Sequence, residues 1–225
     1  MGEKVTFPSN GHTCNGYCTT PVSGKGPAIV VIQEWWGLVP HIQDIVDRFA
    51  KEGFLAIAPD LYHGKTTTAP DQAGRLLMEL DAVRAGQEIA GAGQYLLSRK
   101  DCTSKTYGLV GFCMGGALAQ YAAMNDAKVG ATVSFYGGFK QVPLHWEKLH
   151  GPILLIYGGD DPGVPATEAR PLEEKLRKLG KTVETVVYHG AKHGFFNDSR
   201  PEQYHKIAAQ DAWKRTLKIF RNVVH

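Results

Sequence analysis

The chain has 225 residues, is 43% hydrophobic and 21% charged, and carries a net charge of +3 from 25 basic and 22 acidic side chains. That size and balance suit one compact domain over residues 1–225, with enough apolar residues to bury both faces of a sheet. The charges are interspersed, which argues against nucleic acid as a partner, and no run of 18 apolar residues offers a membrane span.

The opening segment MGEKVTFPSNGHT lacks the apolar core of a secretory leader, so a cytoplasmic location is expected. Four cysteines in this length do not make a disulfide framework, and reduced thiols fit that compartment. Cys14 and Cys18 stand four apart in CNGYC without a second Cys or His pair at finger-like spacing. They are read as residues of an early strand, and no metal is expected.

From residue 27 onward, apolar strand patterns alternate with helical ones, the signature of a mostly parallel central sheet with helices on both faces. AIVVIQE (28–34) is the first buried strand, and IQDIVDRFAKEG after it places Ile42, Ile45, Val46 and Phe49 at helical spacing before Gly53. FLAIAPD (54–60) is the next strand. A helical region over about 70–99 carries Leu76, Leu77, Leu80, Val83, Ile89, Tyr95 and Leu96, with a break expected near Asp81 or Gly86.

Strand TYGLVGF (106–112) and helix MGGALAQYAAMN (114–125) follow, then strands GATVSFY (130–136) and PILLIYG (152–158). Between those strands 137–151 reads as loop, with a turn of helix around His145–Leu149. Helix ATEARPLEEKLRKLG has Pro171 in its first turns, where the missing N–H matters least. Strand TVETVVYHG and a closing helix over about 203–222 complete the series.

The chemistry concentrates at Gly111-Phe112-Cys113-Met114-Gly115-Gly116, where a strand ends and an Ala-rich helix begins. This has the form of a nucleophile elbow with sulfur in place of hydroxyl. The bend strains the backbone at the nucleophile and requires small neighbours, which Gly111 and Gly115 supply. The N-terminal end of the following helix favours a thiolate and an oxyanion, and the Met114 N–H is the natural donor.

Such an elbow implies an α/β-hydrolase fold, with an acid after a later strand and a histidine nearer the C-terminus. Asp161 in GGDDPGVP lies 48 residues beyond Cys113, and His193 in GAKHGFF lies another 32 residues on. Asp160 competes with Asp161, and His189 with His193. Asp161 is preferred, and so is His193, because His189 falls where a strand is still running. His193 would move protons while the carboxylate fixes its tautomer.

Glu34, in QEWWG at the end of the first buried strand, is a further proton-handling candidate, with the Trp35 N–H as a second oxyanion donor. Trp36, Tyr62, Phe112, Tyr136 and Phe195 fall near strand ends and suggest an aromatic pocket.

The ordered motifs VIQEWWG, APDLYHG, GFCMGG, GGDDPGVP and GAKHGFF resemble the dienelactone hydrolase family from about Lys4 to Phe220. The resemblance implies a Cys-His-Asp triad, an acyl-thioester intermediate, thiol activation by Glu34, and no cofactor. The expected partner is a small lactone or activated ester, handled by a monomer or small homo-oligomer. Members acting on anionic lactones place an arginine four residues after the histidine, where this chain has Asn197. Its pocket therefore lacks that bidentate cation, and Arg75 is the other basic residue considered. The alternative is a binding protein of the same fold, non-catalytic or redox-sensing through Cys113.

Overall fold

The computed structural model describes residues 2–138 and 143–225. Its centre is an eight-stranded sheet in the order β1-β2-β4-β3-β5-β6-β7-β8. The strands are β1 (Glu3–Ser9), β2 (His12–Thr19), β3 (Gly26–Ile32), β4 (Leu55–Pro59), β5 (Cys102–Phe112), β6 (Val129–Phe135), β7 (Ile153–Gly158) and β8 (Val183–Tyr188). All pairs from β4 to β8 are parallel, whereas β1 and β2 are antiparallel.

Among the described residues six α-helices complete the fold: α1 (Pro40–Lys51), α2 (Pro70–Glu79), α3 (Ala82–Ser98), α4 (Met114–Asn125), α5 (Ala169–Lys178) and α6 (Lys206–Val223). Side chains alternate across β3, so Val30 and Ile32 join a core with α3 and α4, while Ile29 and Val31 join one with α1 and α6. Helices therefore cover both faces, in the α/β-hydrolase arrangement anticipated from the elbow.

The antiparallel hairpin β1–β2 was not anticipated beyond the two early-strand cysteines. Its signal was Asn10-Gly11, a two-residue loop in which both residues have positive φ, 48° and 75°. That is the chemistry of a type I′ turn. The helical break falls at Leu80–Asp81, where the Asp81 carboxylate accepts hydrogen bonds from the Val83 and Arg84 N–H groups and caps α3. Gly86 lies inside α3 rather than at a break.

Ala166–Glu168 forms a 3-10 turn, so α5 starts only at Ala169 and Pro171 sits in its first turn. Within 137–151 a 3-10 turn covers Trp146–Lys148, and residues 139–142 of that expected loop lie outside the described residues. No helix among the described residues is long and apolar enough to cross a membrane.

The chain passes from β3 through α1 to β4, then crosses back through α3 to β5 on the other side of β3. That reversal opens a crevice at the carboxyl ends of β3 and β5, where α/β sheets bind ligands. Ile32 of β3 pairs with Gly111 of β5, so the residues that follow each strand emerge side by side.

Candidate active site

Cys113 is the sole residue between β5 and α4, with φ 57° and ψ −120°. A Cβ on Gly111 would collide with the Gly115 carbonyl, and one on Gly115 would strike the carbonyls of Ile32 and Gln33. The elbow can pack this tightly against β3 only with glycine at both places. The Cys113 carbonyl accepts from the Gly116 and Ala117 N–H groups at 3.0 and 3.3 Å, fastening the residue to α4. Its side chain stays half-buried.

Asp161 follows β7 and is buried, while its neighbour Asp160 is exposed. Its Oδ1 accepts from the Gly163 and Val164 N–H groups at 2.8 and 3.0 Å, and its Oδ2 lies 2.7 Å from His193 Nδ1. Burial alone would raise the Asp161 pKa. The bond and charge of His193, with the two backbone donors, outweigh it and hold the carboxyl below its ordinary range.

His193 stands in the loop after β8, and His189 is exposed. Nδ1 is turned to Asp161, and the Cys113 sulfur also acts on the imidazole, through its charge and as a hydrogen-bond partner short of full geometry. Burial disfavours the charged imidazole, but the hydrogen bonds with Asp161 and Cys113 prevail and raise its pKa to about 10. The structure thus gathers Cys113, His193 and Asp161, with the imidazole bonded to the carboxylate and acted on by the sulfur.

Glu34 lies two residues past β3 and is 3% exposed. Burial raises its pKa, opposed by the Asn197 hydrogen bond and by the positive charges of His193 and Arg200. Asn197 Nδ2 donates to Glu34 Oε2 at 2.9 Å. Among the described residues neither the Met114 nor the Trp35 N–H has a hydrogen-bond partner, so both remain available as donors.

The aromatic residues divide. The Tyr62 hydroxyl reaches Met114 Sδ at 3.2 Å, and Tyr62 borders a cavity of about 150 Å³ that none of Cys113, His193 and Glu34 lines. Trp36 is nearly covered, with the Arg200 guanidinium 4.2 Å above its ring. Tyr136 packs its ring 5.0 Å from that of His193, and among the described residues its buried hydroxyl meets no partner at full hydrogen-bond geometry.

Three pocket expectations need correction. Phe112 and Phe195 are fully buried in the core on the α1–α6 side, Phe112 stacked between Phe135 and Phe196 at 4.7 and 5.2 Å, so they support the site from beneath. Asn197 is 3% exposed and its amide is committed to Glu34 rather than to an open pocket. Arg75 is exposed on α2.

The profile of the dienelactone hydrolase family matches residues 14–224. The "Protein usf" of Aquifex pyrophilus is 38% identical, with 98% of each chain covered. A protein of Aquifex aeolicus (strain VF5) named "Putative carboxymethylenebutenolidase" is 34% identical, again over 98% of each. Among solved structures, one titled a putative dienelactone hydrolase, from Klebsiella pneumoniae subsp. pneumoniae MGH 78578, superposes with a TM-score of 0.89 at 28% identity, covering 98% of both chains. Family profile, full-length relatives and superposed fold agree: this chain belongs to the dienelactone hydrolase family.

Proposed function

We propose that the protein hydrolyses small lactones or activated carboxylic esters through an acyl-thioester on Cys113. The observation that carries this reading is the row Cys113–His193–Asp161, with the sulfur at a strained one-residue elbow and the imidazole oriented by a 2.7 Å contact to a buried carboxylate.

Glu34 takes the thiol proton, and the Cys113 sulfur forms a bond to the carbonyl carbon. The carbonyl electron pair moves onto oxygen, where the Met114 and Trp35 N–H groups stabilise it. Collapse breaks the acyl C–O bond, and protonated His193 gives its proton to the departing oxygen. Neutral His193 then removes a proton from water as that water attacks the thioester. The C–S bond breaks, releasing the acid and leaving a thiolate beside the imidazolium, and Glu34 returns its proton to the sulfur to restore the starting thiol. Asp161 keeps Nδ1 protonated throughout, which leaves Nε2 to exchange protons.

A thiolate leaves as readily as it attacks, so oxygen esters fit this machinery better than amides. The four cysteines are unpaired, consistent with a reducing cytoplasmic setting. Rapid mixing with p-nitrophenyl acetate tests the reading. The wild type is expected to release a burst of p-nitrophenolate and gain one acetyl group on Cys113. Cys113→Ala is expected to lose both, and turnover retained in that variant would remove the sulfur from the reaction.

A further inference from the structure

Glu34 is a buried carboxylate whose two oxygens have different surroundings. Oε2 is held by Asn197 Nδ2 at 2.9 Å, and among the described residues Oε1 has no hydrogen bond of full geometry. The Asn197 amide cannot turn over freely, because its Oδ1 accepts both the Ser199 backbone N–H at 3.1 Å and the Ser199 hydroxyl at 2.6 Å. An amide whose oxygen is occupied on one side must present its NH₂ on the other. A turn reinforces this arrangement, with the Arg200 N–H donating to the Asn197 carbonyl at 3.1 Å.

We propose that Ser199 and Asn197 are positioning residues that fix Glu34 as a one-sided proton acceptor, Ser199 by dictating which end of the Asn197 amide faces the carboxylate. The inference rests on Glu34 serving as the base for the Cys113 thiol, and it assigns work to a hydroxyl that touches neither the sulfur nor the imidazole. A neutral amide directs the carboxylate without neutralising it, so the carboxylate keeps more basicity than a paired guanidinium would leave it.

The groups that act on Glu34 from the surrounding elements are His193 and Arg200 from the loop after β8 and Tyr136 from the end of β6. Tyr136 is also close to Cys113 and Asp161. Arg200 is occupied above the Trp36 ring, and no hydrogen bond joins it to Glu34 among the described residues. Tyr136 acts on Glu34 as a weaker hydrogen-bond partner, so among the described residues Asn197 is the donor that meets the carboxylate at full geometry and sets its orientation.

The test is the burst rate of p-nitrophenyl acetate acylation against pH for the wild type, Ser199→Ala, Ser199→Thr, Asn197→Leu and Glu34→Gln, with melting curves as a folding control. Ser199→Ala is expected to slow the burst about 5-fold near neutrality, the scale of one neutral hydrogen bond. It should also move the acid limb to higher pH, because a less well-held carboxylate keeps its proton longer. Ser199→Thr retains the hydroxyl and should restore the profile.

Asn197→Leu is expected to shift the limb further and slow acylation by about 10-fold or more. Should that variant fail to fold, the Ser199 pair decides alone. Glu34→Gln slowed, with an unmoved limb in Ser199→Ala, would overturn the positioning proposal and leave Glu34 as the base. An unchanged burst in Glu34→Gln would overturn both.

Discussion

Cys113 and Glu34 carry opposite kinds of cost at the residue scale. With φ at 57° and ψ at −120°, the Cys113 backbone sits where a side chain costs about 1–3 kcal/mol, held there by the strand before it and the helix after it. Glu34 instead bears burial of its charge, which raises its pKa despite the bond from Asn197. A raised carboxyl pKa in the folded state means that unfolding releases a proton in the window between the unfolded and folded values. Stability is thus greatest below the unfolded value and falls as pH rises through the folded one. Glu34→Gln is accordingly expected to melt a few degrees higher than wild type at pH 8 and nearly level with it at pH 4, while acylating more slowly. Equal melting temperatures at both values would show that the charge is not costly where it stands. Chain position identified this carboxylate as a candidate, but its grip by Asn197 was not legible, since 163 residues separate the two. Phe112 and Phe195 were misplaced for a related reason: proximity to a strand end does not say which face of the sheet a ring enters.

At the scale of elements, the elbow is legible because sterics force its glycines. Gly115 lies against the Ile32 and Gln33 carbonyls, so Gly115→Ala must push α4 away from β3. That change is expected to lower stability by about 1–3 kcal/mol, as for other overpacked cores, and to weaken acylation by shifting the Met114 N–H. Urea unfolding with the burst assay would check both, and a well-folded, fully active variant would contradict the packing account. Parallel strands announced themselves as continuous apolar runs, whereas β1 and β2 did not, because an edge hairpin alternates exposed and buried residues and includes Pro8. The division of α2 from α3 came from a single cap, Asp81, which outweighed the helix-weakening Gly86. Boundaries at such points depend on side-chain hydrogen bonds more than on periodicity.

Across the whole molecule, the sheet order distributes the proposed chemistry unevenly. Glu34 and Cys113 follow β3 and β5, strands flanked on both sides and locked in register at Ile32 and Gly111. Asp161 and His193 follow β7 and β8, and β8 is one of the sheet's two outer strands, with four of its six residues only half-buried. Strand order was the least legible property, because apolar runs show that strands are buried without saying which lie beside each other. Amides of β8 and the 189–205 loop are expected to exchange with deuterium well before those of β5 and β3. Equal protection would mean that the rim is as cooperative as the centre.

Because β8 lies at the margin while the elbow lies in the middle, gentle warming should dislodge the imidazole before it disturbs the sulfur. Such a molecule could still take an acyl group from an ester whose leaving oxygen needs no proton, yet have no means of shedding it, so with that substrate heat would leave the population clogged with its own half-finished product before any of it melted.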